Sequence, residues 1–300
     1  MIFGILAGLT AAFLNSIGYL FSAFFLKKSN SPFKLLVFAQ TWMLIFSVPF
    51  IWFLLPENGI ADPGKFFKAL AYWVVVFCTG QASFFLALRH FEASRLSSLL
   101  GLKIIVLTVI YMFVNRSIPN AGQWLAVFMA AAAAMLINYS AGNSWKSKGW
   151  LYVFVTLICY SLSDINETTL VLCLVDSGLS PLRSAFAATM TNYVALGILT
   201  LPGLFFFKPD KTFHLSAPYA AFWLLSQVSL MTCFALVAPV FGNVILASRG
   251  IFSVLLGALL AVIGIKGVDA NISKKQWIRR GIAALLMVLA IGIYSFSTAK

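Results

Sequence analysis

Charge is what this chain of 300 residues has least of. Asp, Glu, Lys and Arg make up 10% of it, against about 25% in an ordinary globular domain. Histidine is scarcer still, at 2 residues. His90 and His214 cannot form the HExxH pair of a zinc protease, and both fall at the ends of apolar segments, where neither serves a buried serine. No GxxxxGK[ST] loop occurs, which removes that route to ATP hydrolysis. An enzyme is therefore not expected. The four cysteines, Cys78, Cys159, Cys173 and Cys233, show neither CxxC nor Cys/His spacing. They read as small packing residues, and no disulfide, metal or cofactor is expected.

What fills the chain instead is hydrocarbon. Hydrophobic residues reach 61%, with 29 Phe and a mean hydropathy of +0.96. No compact soluble fold of this size hides so much apolar surface. Crossing a hydrocarbon layer of roughly 30 Å takes about 20 helical residues, and every backbone amide must bond within its own helix. Ten such stretches are expected: 2–26, 33–55, 70–88, 94–114, 121–140, 150–174, 182–207, 217–236, 239–264 and 277–297. Continuous apolar runs exclude a lipid-facing β-barrel, whose strands alternate. Turn residues mark the breaks, as in Lys27–Pro32, Pro56–Gly59, Ser117–Asn120, Asp176–Gly178 and Lys208–Asp210. Trp52, Tyr72, Trp73, Trp124, Trp150, Tyr219, Trp223 and Trp277 are placed at the headgroup level. The first segment lacks a basic n-region and an A-x-A-like site, so it is expected to be retained as a span.

The net charge of +13 follows the loops, which speaks for a bilayer and against a nucleic-acid partner. Loops after odd-numbered spans carry Lys27, Lys28, Lys34, Arg89, Arg95, Lys146, Lys148, Lys208, Lys211, Lys266, Lys274, Lys275, Arg279 and Arg280. Even-numbered loops and the C-terminal tail carry Lys65, Lys68, Arg116, Arg183 and Lys300. The positive-inside rule then puts both termini outside.

Division near residue 146 leaves five spans in 1–145 and five in 146–300. A shift of 146 brings Gln81 onto Gln227, Ser83 onto Ser229 and Lys103 onto Arg249; a shift of 148 brings Ala87-Leu88 onto Ala235-Leu236. Five is odd, so a duplicated unit must enter the membrane upside down relative to its copy. The expected fold class is an all-α membrane protein of ten transmembrane helices in two inverted five-helix repeats. Such repeats support alternating access, which makes transport the leading function.

The ninth span reads Ala247-Ser248-Arg249-Gly250-Ile251-Phe252-Ser253-Val254-Leu255-Leu256-Gly257, preceded by Ala238-Pro239. With the five-plus-five plan, it resembles the drug/metabolite transporter superfamily, EamA type. That resemblance implies a secondary carrier of small metabolites with a central cavity and cytoplasmic termini. The chain departs from the family in carrying Lys103 where members have a fourth-span proline, and Asn115-Arg116 where an acidic residue follows.

Lys103 and Arg249 lie about ten residues from either end of their spans, roughly 15 Å from water. Facing lipid there costs at least about 2.5–3.5 kcal/mol, so both are expected to face a polar cavity or a carboxylate. Either they clamp a substrate anion, or they form structural bridges to Asp164 and Glu167. Those two acids stand three apart on one helical face, near Ser161 and Thr168. Their repeat counterparts fall at Asn15 and Ser16, with Tyr19 one turn on. The acids could exchange protons, grip an ammonium, or simply pair with the basic residues. Gln81, Thr189, Asn192 and Gln227 line a cavity or bond across helices.

Substrate binding is therefore assigned to Lys103, Arg249, Asn15, Tyr19, Gln81, Asn192 and Gln227, and coupling or ion pairing to Asp164 and Glu167. The expected cargo is a small anionic or zwitterionic metabolite: an amino acid, organic anion or phosphorylated solute. The alternative is proton-coupled export of aromatic or cationic compounds through Asp164 and Glu167. Expected partners are the bilayer, a small-molecule substrate and a proton or counter-substrate. The protein would act as monomer or homodimer, multi-pass in a plasma membrane, or the inner membrane of a bacterium.

Overall fold

A computed structural model describes residues 1–29, 31–87, 90, 99–116, 118–137, 149–262 and 274–298. Among them the regular structure is entirely helical: α1 (Ile2–Ser29), α2 (Pro32–Leu54), α3 (Pro63–Ala87), a 3-10 turn (Leu100–Leu102) leading into α4 (Lys103–Asn115), α5 (Ala121–Ile137), α6 (Gly149–Asp176), α7 (Pro181–Thr200), a single turn at Gly203–Phe206, a 3-10 turn (His214–Ser216) leading into α8 (Ala217–Val237), α9 (Pro239–Leu246), α10 (Arg249–Val262) and α11 (Lys274–Thr298). Among the described residues six segments are long and apolar enough to cross a membrane: Ile2–Ser29, Pro32–Leu54, Gly149–Asp176, His214–Val237, Pro239–Gly257 and Ile278–Thr298. Phe3, Trp52, Phe205 and Phe206 are each at least 80% exposed, an exterior that water would not tolerate and acyl chains would. The chain is an all-α, multi-pass membrane protein. The expected loop charges at Arg89, Arg95, Lys146, Lys148, Lys266 and Lys300 lie outside the described residues.

Helix starts follow local chemistry. Ser31 and Ser180 cap α2 and α7: each hydroxyl accepts the backbone N–H three residues on, from Lys34 (3.3 Å) and Arg183 (3.4 Å), with Pro32 and Pro181 opening the helix. A proline there loses nothing, since the first amides of a helix have no internal partner. The third helix begins at Pro63, where hydropathy placed residue 70. Asp62 Oδ1 takes the Lys65 N–H at 2.9 Å, and this cap starts the helix ahead of its apolar stretch. The seventh was expected to continue to 207, yet α7 ends at Thr200, before Pro202. The ninth was expected to be continuous over 239–264. It is interrupted: α9 stops at Leu246, and the Ser248 N–H turns back to Ile245 O at 3.0 Å, a 3-10 step. Arg249 is thereby the first residue of α10.

The chain forms two compact units, Met1–Val75 with Asn166–Ala238 and Val76–Ile165 with Pro239–Lys300. In the first, α1 and α8 run antiparallel at close range. A Cβ on Gly4 would lie 2.5 Å from Val237 Cγ1, and Ser226 Oγ donates to Ala11 O at 2.9 Å. Helices α2 and α7 are also antiparallel, with Gly197 against Leu44 and Arg183 Nη2 donating to Phe53 O at 2.9 Å. In the second unit α5 and α11 pair start to end, Asn120 Nδ2 donating to Ser297 O at 2.8 Å. Phe241 on α9 stacks on Tyr294 on α11 at 4.6 Å.

At one end of the first unit the loop before α8 is clipped to α2. Lys34 Nζ meets Asp210 Oδ2 at 2.6 Å, and Trp42 Nε1 donates to Phe213 O at 3.0 Å. The Lys34 bond first, then those from Thr212, hold the Asp210 carboxyl down at about 2. This folded value lies below the ordinary aspartate value of about 3.9. The stabilisation is therefore fully present above about pH 4 and lost as pH falls through about 2. Trp42 fluorescence is expected to report release of the loop across that window. In Asp210→Asn the step should be absent; a step of unchanged size and midpoint would show that other groups release the loop.

Candidate functional site

In the second unit, α6 presents Asp164 to two other helices. Lys103, the first residue of α4, places Nζ 2.7 Å from Asp164 Oδ2. Asn243, near the middle of α9, donates Nδ2 to the same oxygen at 2.6 Å and to Pro239 O at 2.9 Å. The bond to its own helix fixes the amide with its nitrogen toward the acid. Asp164 is 7% exposed and the Lys103 side chain 17%, so this is a nearly buried, charge-assisted cluster on three helices. Arg249 is half-buried six residues past Asn243. The two cations thus share a local setting: each opens an α-helix just after a 3-10 turn or step, at Leu100–Leu102 and at Ala247–Ser248. Gln81, on α3, is half-buried.

In the first unit, Glu167 on α6 accepts Trp73 Nε1 at 3.2 Å. Trp73, ten residues or about 15 Å into α3, is 1% exposed. Trp73 meets Tyr193 edge to face at 5.9 Å. The Tyr193 hydroxyl accepts Trp223 Nε1 at 2.5 Å, and Trp223 lies 6.2 Å from Tyr19. One carboxylate therefore heads a line of four aromatic rings on α3, α7, α8 and α1. Asn15 Oδ1, Thr189 Oγ1 and both amide atoms of Asn192 are buried with no hydrogen-bond partner among the described residues. Such atoms cost about 1–3 kcal/mol each unless water or a solute reaches them. Gln227 is half-buried.

Of the residues read from the sequence, the structure brings together Lys103 and Asp164 in one unit and places Glu167 and Tyr19 in one aromatic line in the other. Asn243, Trp73 and Tyr193 are additions. Asn243 had one detectable signal, as the single amide in the apolar run 238–257.

Among the described residues no group of three His, Cys, Asp or Glu could hold a metal. A groove of about 540 Å³ is lined by Phe67, Leu70, Ala71, Val74, Val75, Ala195, Ile198 and Leu199. Its lining offers nothing to hold a charge.

No family model and no curated protein matches this chain. Among solved structures, one described only as "Crystal structure of protein" aligns over 99% of this chain and 99% of its own, with a TM-score of 0.71 and 13% identity. At that identity the likeness establishes a shared fold and nothing of function.

Proposed function

We propose that the protein is a secondary carrier of the drug/metabolite transporter type. In this reading two inverted five-helix repeats, 1–145 and 146–300, move a small anionic or zwitterionic metabolite by alternating access. The observation that carries the proposal is the matched placing of two cations. Lys103 and Arg249, separated by the repeat shift of 146, each begin a helix directly after a 3-10 turn or step within an apolar stretch of sequence. Charged residues in such stretches mark substrate pathways by default.

Other features support the repeat. Helices α1 and α6 have 28 residues each. The Ser-Pro-x-Lys cap of α2 recurs as the Ser-Pro-x-Arg cap of α7. Counterpart helices α2 and α7 pack antiparallel, as do α5 and α11, which an in-plane dyad requires of helices beside it. The substrate anion would engage Lys103 and Arg249, the latter suited to a bidentate grip.

The test is uptake by the purified protein in sealed proteoliposomes, with variants compared at equal folded amounts. Arg249→Ala and Lys103→Ala are each expected to reduce anion uptake at least about tenfold, the loss of one charge-assisted hydrogen bond. Normal uptake by both would remove the clamp.

The aromatic line headed by Glu167 favours a second reading, export of aromatic or cationic compounds. It gains if the same vesicles move a lipophilic cation such as tetraphenylphosphonium and the Lys103 and Arg249 variants are unaffected.

A further inference from the structure

We propose that the Lys103–Asp164 pair is an exchange site that takes up one proton with each substrate anion, making transport an electroneutral proton–anion symport. The inference rests on the carrier reading above and adds to it the coupling ion and the stoichiometry.

Its basis is the arrangement around one oxygen. Asp164 Oδ2 receives both Lys103 Nζ and Asn243 Nδ2, at 2.7 and 2.6 Å. These two donors differ in freedom. Asn243 is held by its second bond, to Pro239 O. Lys103 sits on a flexible four-carbon stem at the start of α4, after a 3-10 turn, and can turn to another anion. The other ionisable groups near Asp164 in sequence on these helices are engaged elsewhere or further along. On α6, Tyr160 packs on Phe77 and Gly80 of α3, and Glu167 takes the Trp73 N–H. Beyond Asn243, the next is Arg249.

The charge balance follows. With Lys103 and Asp164 paired, their sum is zero. An anion that enters as the new partner of Lys103 takes the lysine from Asp164 and changes the sum over lysine, aspartate and anion by one negative charge, whatever charge Arg249 adds beside them; burial opposes a carboxylate left without that cation. One proton, taken from water onto the Asp164 carboxyl group, restores the sum. In that step the lysine–aspartate ion pair opens, a lysine–substrate ion pair closes and one O–H bond forms; no electron moves. Asn243 Nδ2 keeps an oxygen acceptor throughout, so the amide holds the acid in place while its partner changes. Release on the far side reverses each event, and the unloaded pair returns neutral.

The test uses the full-length protein in sealed proteoliposomes, with labelled L-lactate, benzoate and L-glutamate as probes in counterflow. Whichever probe exchanges is then driven by imposed gradients. Wild-type protein is expected to accumulate it about tenfold per unit of inside-alkaline pH gradient, the equilibrium value for one proton per anion, and to ignore a valinomycin-set potential. Asp164→Asn should change from pH-driven to potential-driven uptake, since the anion then enters without its proton. If that variant does not fold, alkalinisation of the medium by one proton per anion taken up by wild-type protein supports the same coupling. Wild-type exchange indifferent to pH gradient, or an Asp164→Asn variant still driven by it, overturns the symport and leaves the carrier standing. Absence of exchange with every probe overturns both.

Discussion

Lys103→Met is expected to destabilise the protein by about 3–5 kcal/mol, the cost of leaving a buried carboxylate without its cation. Lys103→Met/Asp164→Leu should recover most of that loss. Two apolar side chains of similar bulk carry no desolvation penalty, and replacing a whole buried ion pair is often neutral or stabilising by about 1–4 kcal/mol. Asn243 is left with its bond to Pro239 O, so no amide is stranded by the double change. Unfolding in mixed micelles, followed by Trp fluorescence, reads both numbers. If the single change costs less than about 1 kcal/mol, the contact at 2.7 Å is not a buried pair in the working protein. If the double variant is as unstable as the single one, Asp164 has a structural duty beyond holding Lys103.

The second large effect is placed at Trp73. Truncation to Ala removes a fully buried indole and should cost about 3–5 kcal/mol. Trp73→Phe separates ring from N–H. It keeps an aromatic face against Tyr193 but removes the donor to Glu167, and should cost about 1.5–3 kcal/mol, the range for a hydrogen bond to a charged group. A cost for Trp73→Phe near zero would mean that Glu167 has no need of the indole. The same unfolding measurement distinguishes the cases.

How far the sequence reveals this molecule depends on what kind of signal each feature leaves. Lys103, Arg249, Asp164 and Glu167 stand out because a charge in a long apolar run needs a polar cavity or an opposite charge, and two of them do meet. Partner choice is less visible. Asp164 could have joined either cation on spacing alone, and nothing in the spacing links Glu167 to Trp73. The start of α3 differs for a physical reason, because hydropathy locates the apolar stretch whereas Asp62 and Pro63 locate the helix start, seven residues earlier. The interruption at Ala247-Ser248 leaves no trace, since neither residue is a helix breaker. It is a 3-10 step made by backbone bonds that many sequences would accept. Asn243 is inconspicuous for a related reason: an amide among apolar neighbours looks like any interhelical hydrogen bond. The Ser-Pro starts of α2 and α7, by contrast, are a local code that could be read directly.

The most direct measurement is anion uptake by the Lys103→Met/Asp164→Leu protein in sealed vesicles. This variant is expected to be folded and stable, which separates transport from structural integrity. With Lys103 as the anion's partner, uptake should fall to the level of protein-free vesicles while the unfolding curve stays close to that of the wild type. Uptake at the wild-type rate from the same folded protein would contradict the account, and the buried pair would then be a structural bridge.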